Sequence, residues 1–127
     1  MNRALTLAAS ILGLTGVGLG AIGAHALKRW LGAAPDAAER LGWWETGARY
    51  HLIHALALFA IAVLAQHVPG RLPRSAGALM TLGVALFSGS LYAMALTGSR
   101  AFAMLTPFGG LCFLCGWTLA AVAARKL

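Results

Sequence analysis

His51 and His54 stand three residues apart in a stretch that also holds Glu45, Arg49 and Tyr50, inside an otherwise apolar run. At helical spacing such a pair shares one face. Two imidazoles with a carboxylate and a guanidinium nearby could carry protons, since histidine ordinarily titrates near neutral pH. Joined by His25 they could ligate a metal or haem, as histidines on facing helices of bundles do. No carboxylate accompanies the pair in ligand position, however, and Glu45 is the one nearby acid, so no metal or other cofactor is expected. An enzyme site is a third reading, but the chain shows no paired carboxylates, no nucleophile with a spaced base and no phosphate loop, so no catalytic residue is named. The remaining reading is structural. Glu45 pairs with Arg49, the histidines bond to hydroxyls or carbonyls of other helices, and the network fixes how the helices sit. Cys112 and Cys115 also lie three apart, where a disulfide has poor geometry and no second pair completes a zinc site. They are expected to be small packing residues.

These side chains need elements to hold them, and the composition says of what kind. The chain has 127 residues, 60% of them hydrophobic and 10% charged, where a soluble domain carries roughly 25% charged residues. One membrane domain, residues 1–127, is expected. A spanning helix needs about 20 apolar residues, and four candidates follow one another at about 4–27, 44–66, 75–96 and 105–124. The first imitates a secretory signal, with Arg3 before an apolar run and Ala24-His25-Ala26 resembling a cleavage site. Its length and the three spans after it argue that it is retained. Asp36 as N-cap with Glu39 three residues on predicts a short interfacial helix between the first two spans. Acid-first pairs at four-residue spacing, Asp36–Arg40 and Glu45–Arg49, would support helix there, and Trp43 and Trp44 mark an interface. His67 to Arg74 contains two prolines and a glycine and forms a basic turn, and Thr97 to Arg100 forms another. The fold class is therefore an all-α integral membrane protein, an antiparallel four-helix bundle.

The formal net charge of +7 sits on basic residues placed singly or in pairs between apolar runs, as where side chains meet lipid phosphates. The bilayer is the expected partner, and nucleic acid is not. Basic residues are shared evenly between the two sides. Discounting Arg49 as lying within a span places both termini in the cytoplasm. Small residues recur at four-residue spacing: Gly16, Gly20 and Ala24; Gly77, Thr81, Ala85, Gly89 and Ala93; Cys112, Gly116, Ala120 and Ala124. Such rows let helix backbones approach closely. Gly16, Gly20, Gly23, Gly89, Gly110 and Gly116 are the expected packing glycines, and a row left unused would pair with another copy to give a homo-oligomer.

With antiparallel spans, one membrane side gathers nearly all the polar residues. His25 comes from the first span, Glu45, Arg49, Tyr50, His51 and His54 from the second, Ser88, Ser90 and Tyr92 from the third, and Thr106 from the fourth. Trp44 to His54 is ten residues, about 15 Å of helix, which is half of a hydrocarbon core roughly 30 Å thick. A polar network or cavity near one face is the leading expectation, with an unidentified ligand or partner. The alternative is a small transporter or a proton- or ion-conducting oligomer using His25, His51 and His54.

The same residues carry a family resemblance. Gly20 to His25 (GAIGAH), Trp44 to Gly47 (WETG) with Tyr50 to Leu58 (YHLIHALAL), Leu86 to Tyr92 (LFSGSLY), and Leu105 to Gly110 (LTPFGG) with Gly116-Trp117 together resemble the small membrane-protein family catalogued as domain of unknown function 423. Its eukaryotic relatives are called transmembrane protein 256. The likeness covers nearly the whole chain in order. It implies a four-span protein of the bacterial inner membrane and no particular activity. Members of the family often have Gln after the tyrosine, where this chain has His51, so the resemblance points to His25 and His54 rather than His51 for a relay or ligand role.

Overall fold

Backbone groups inside a bilayer have no water to bond, so a spanning segment must satisfy them internally, and an apolar segment does so as a helix. A computed structural model describes residues 2–127 and contains four helices long and apolar enough to cross a membrane: α1 (Arg3–Leu31), α2 (Ala37–His67), α3 (Arg71–Thr97) and α4 (Arg100–Ala124). They pack in chain order, α1 on α2, α2 on α3 and α3 on α4, while α1 and α4 make no extensive contact. Of the most apolar stretches of α2 and α3, 44% is buried, against 17% for α1 and 22% for α4, so α2 and α3 form the centre and the other two flank it.

The separate interfacial helix between the first two spans is not formed. Lys28–Leu31 continues α1, and Ala37 begins α2, which runs unbroken for 31 residues, about 46 Å at 1.5 Å per residue. The expected cap also differs. Asp36 has φ −100° and ψ 10° and makes no side-chain capping bond, because a cap oxygen reaches the helix N–H groups from an extended backbone. Its carboxylate lies 3.8 Å from the Arg40 guanidinium, and Glu39 pairs with Arg100 across the bundle end.

That end is closed by Arg40. Its Nε donates to the Ala95 carbonyl and its Nη2 to the Leu96 carbonyl, both at 2.8 Å, occupying acceptors that the end of α3 leaves without intrahelical donors. Gly98 then turns the chain at φ 70° and donates its N–H to Met94 O at 2.8 Å, the left-handed stop that glycine adopts without strain.

Three helices depart from regular α geometry, α4 by opening on a 3-10 turn at Arg100–Met104 and α1 and α3 by internal turns. Gly23–Leu27 in α1 and Val84–Ser88 in α3 are single π turns, which take up an extra residue and often mark functional positions. The core is in two parts. Leu27, Leu31, Trp44 and Ala95 pack at the Arg40 end. Leu5, Leu58, Ile61, Met80, Val84 and Phe113 fill the opposite half.

Close approach comes from glycines whose missing Cβ is replaced by a neighbour. A Cβ on Gly16 would meet Leu52 and His51, one on Gly23 the Trp44 ring, and one on Gly116 the Met80 thioether. Gly20, Gly89 and Gly110 have open space at that point and are not packing glycines within the bundle. Four-residue spacing identifies a smooth strip but not the side on which a neighbour lies. Gly47, Gly77, Gly83 and Gly109 pack tightly, and at Gly109 a Cβ would run into the backbone of Phe87.

Candidate functional site

The polar residues meet as a series of bonds between helices, concentrated in the half of the bundle nearer Arg40. His51 is buried between α1 and α3. Its Nε2 lies 3.3 Å from Thr15 Oγ1 and its Nδ1 3.0 Å from Tyr92 Oη. The Thr15 hydroxyl donates to the Ile11 carbonyl at 2.8 Å, so its oxygen is left to accept. Neutral imidazole donates from one nitrogen and accepts at the other. His51 therefore donates from Nε2 to Thr15 and accepts at Nδ1 from the Tyr92 hydroxyl.

His54 has the other tautomer. Nδ1 donates to the Tyr50 carbonyl at 2.7 Å, and Nε2 accepts from Trp117 Nε1 at 3.3 Å. The ring stacks on Phe113, with centroids 3.5 Å apart and planes 11° from parallel, and Tyr50 stacks 5.9 Å away. Both imidazoles thus have every nitrogen engaged in the neutral form.

Three further bonds complete the series. Trp44 Nε1 donates to Leu19 O at 2.7 Å, which joins α2 to α1 beside the π turn at Gly23. Ser88 Oγ, carried by the second π turn, donates to Gly47 O at 2.7 Å, joining α3 to α2. Ser90 Oγ donates to Phe87 O at 2.8 Å and lies 2.7 Å from Thr106 Oγ1, joining α3 to α4. Among the described residues no buried side-chain nitrogen or oxygen lacks a partner.

The predicted cluster is therefore divided. Tyr50, His51, His54, Ser90, Tyr92 and Thr106 take part in the contacts just described. His25, Glu45 and Arg49 do not, since all three are exposed on the outside of the bundle. No Glu45–Arg49 ion pair is formed; the ion pairs among the described residues are Asp36–Arg40 and Glu39–Arg100. Helical phase is what turns Glu45 and Arg49 away from the histidines. At about 100° per residue, Arg49 points some 200° from His51, and Glu45 points 180° from His54. Among the described residues no three His, Cys, Asp or Glu side chains lie close enough to hold a metal ion. Cys112 is half-buried and Cys115 exposed, both as free thiols.

Sequence reasoning missed Thr15, Trp44 and Trp117 as partners. Tryptophan near a span end reads as an interface marker, and a threonine in an apolar run reads as filler. The one available signal was donor chemistry, because a buried indole N–H needs an acceptor.

Comparison with known proteins assigns the chain to a family. A family model described as "Protein of unknown function (DUF423)" matches residues 19–110. The chain belongs to that family. The UPF0382 membrane protein YwdK of Bacillus subtilis is 44% identical over 118 residues, covering 92% of both chains. The UPF0382 inner membrane protein YgdD of Escherichia coli K12 is 40% identical over 126 residues, covering 99% of this chain and 92% of its own. A UPF0382 membrane protein of Haemophilus influenzae is 38% identical over 125 residues. No solved structure matches. The chain is thus an all-α membrane protein of an uncharacterised family. The matched region opens at Leu19, the acceptor of the Trp44 bond, and closes at Gly110, beside the Gly109–Phe87 contact. Thr15, Phe113 and Trp117 lie outside it.

Proposed function

We propose that the protein is a non-catalytic component of the bacterial inner membrane whose polar half is a lock between helices, and that it acts through its outer faces as a homo-oligomer. The observation carrying the lock is that both nitrogens of His51 and both of His54 are bonded within the bundle. A relay hands a proton on through partners that can take it up and release it, whereas His54 is bonded to a backbone carbonyl and an indole N–H and the Thr15 hydroxyl beside His51 ends on the Ile11 carbonyl. From His54 towards the His67 end, Leu58, Ile61, Met80 and Val84 fill the interior with apolar side chains, which supports a lock over the conducting alternative. Reconstitution into liposomes containing a pH-sensitive dye tests this. Proton flux under a pH gradient should equal that of protein-free vesicles, and a protein-dependent flux abolished by His54→Phe would overturn the reading.

The oligomer rests on the outer faces. Glu45 and Arg49 are exposed on α2 together with Ile53 and Leu56, and His25 is exposed on α1. A charged side chain facing lipid costs up to about 2.5–3.5 kcal/mol, the value at mid-membrane, and a second copy placing Arg49 against Glu45 lowers that cost. Gly13, Gly18 and Gly20 add open backbone on α1. Glu45→Cys should crosslink to a dimer in native membranes, whereas Ala57→Cys, which is buried in the bundle, should not. We also propose that both termini face the cytoplasm, since Arg3, Arg71, Arg74, Arg125 and Lys126 outnumber the basic residues of the other side once Arg49 is discounted as lying within a span. A carboxy-terminal reporter active only in the cytoplasm should be active.

A further inference from the structure

At the end of the bundle away from the histidines, a cleft of about 640 Å³ opens between the start of α1 and the turn joining α2 to α3. Its lining includes Asn2, Leu5, Ala65, Gln66, Gly70 and Arg74. The volume lies within the range of small-molecule sites, about 300–1,000 Å³.

The side chains of the polar lining offer donors and one positive charge, beside the Gln66 amide oxygen. Arg74 carries a guanidinium with five N–H groups and no acceptor, and no ion pair engages it among the described residues. Asn2 uses Oδ1 to accept from the Leu5 N–H, which leaves its amide NH2 to donate. Gln66 is exposed and brings a second amide NH2. No carboxylate lines the cleft. Asp36, Glu39 and Glu45, the three acids of the chain, sit in the α1–α2 turn and the first turns of α2, at the other end of the bundle. Arg71, also exposed, adds positive charge next to the cleft. The rest of the lining is apolar, and Leu5 passes directly into the core.

This cleft stands at headgroup level. A hydrocarbon core about 30 Å thick, centred on the 31 residues of α2, ends close to Ala62, so Ala65 and Gln66 lie among the lipid phosphates. Donors at the phosphate level above an apolar wall match an amphiphile with an anionic head.

We propose that the cleft binds one anionic glycerophospholipid, its phosphate held by Arg74, Gln66 and Asn2 and the start of an acyl chain lying against Leu5 and Ala65. Arg74 on phosphate would form the charge-assisted, bidentate contact that guanidinium geometry favours. General attraction of a basic surface for an anionic leaflet does not need Arg74 in particular, and the experiment separates the two. Full-length protein in neutral detergent is titrated with phosphatidylglycerol or phosphatidylcholine, and bound lipid is counted by native mass spectrometry. The wild type should retain one phosphatidylglycerol in preference to phosphatidylcholine. Arg74→Gln should weaken that binding about tenfold, the effect of losing one charged hydrogen bond, and Gln66→Leu should weaken it less. Arg125→Gln, on the same membrane side but outside the cleft, should leave it unchanged. Equal loss in the Arg74 and Arg125 variants would reduce the effect to diffuse surface charge and overturn the proposal. Full displacement by millimolar inorganic phosphate would assign the cleft to a soluble anion and overturn it as well. Because Arg74 is exposed, its replacement leaves the core intact, and unchanged thermal unfolding of the variant checks this.

Discussion

At the scale of single residues, the two histidines differ from their sequence appearance in what they touch. His51 is the better connected of the pair across the α1–α3 gap, although the family resemblance pointed away from it, and it makes those contacts through a threonine and a tyrosine. The tautomer argument gives a direct prediction. Tyr92→Phe removes the hydroxyl that donates to His51 Nδ1 and leaves a buried acceptor unpaired. It should destabilise the protein by about 1 kcal/mol, in line with interhelical hydrogen bonds in membranes, measured by denaturant titration in detergent. Thr15→Val should cost a similar amount by removing the acceptor for Nε2. Tyr92 and His51 were both legible as candidates because polar side chains in apolar runs stand out. Their pairing was not, because they lie 41 positions apart in the chain, on two different helices.

At the scale of elements, glycine decides how near the helices come. Gly109 and Gly110 are adjacent and alike in sequence, yet a Cβ at Gly109 would run into the Phe87 backbone and one at Gly110 would meet nothing within 4 Å. Gly109→Ala should therefore push α4 from α3 and destabilise by about 2 kcal/mol, within the usual range for overpacking. Gly110→Ala should be neutral or slightly stabilising, since alanine favours helix. Thermal unfolding of both variants makes the comparison. Gly23→Ala should displace the Trp44 ring and break its bond to Leu19 O, with a shift in tryptophan emission as the signal. The glycine rows were visible as four-residue periodicity. The π turns were not, because Gly23–Leu27 and Val84–Ser88 have no Pro or other marker that would disclose an extra residue in the turn.

At the scale of the whole molecule, the two ends are built differently. One is tied shut by Arg40 across α2 and α3 and joined by the Glu39–Arg100 pair. The other carries the donor-lined cleft. Arg40→Ala removes two bonds from a charged donor to α3 carbonyls and should destabilise by about 2 kcal/mol. Arg100→Ala removes an exposed ion pair and should change stability by no more than about 1 kcal/mol. Unfolding of the two variants side by side distinguishes a tie from surface decoration. The sequence by itself determined that the chain has four helices long and apolar enough to cross a membrane, and that polar side chains gather towards one end. These follow from bilayer thickness and from the need to satisfy backbone bonds within each segment, constraints that act along a single chain. The tertiary structure alone decided which polar groups meet. That Thr15 faces His51 and that Trp117 faces His54 depends on the rotation of each helix about its axis, which is set by side-chain packing between helices, whereas the opposition of Glu45 and Arg49 to the histidines follows from their spacing along one helix.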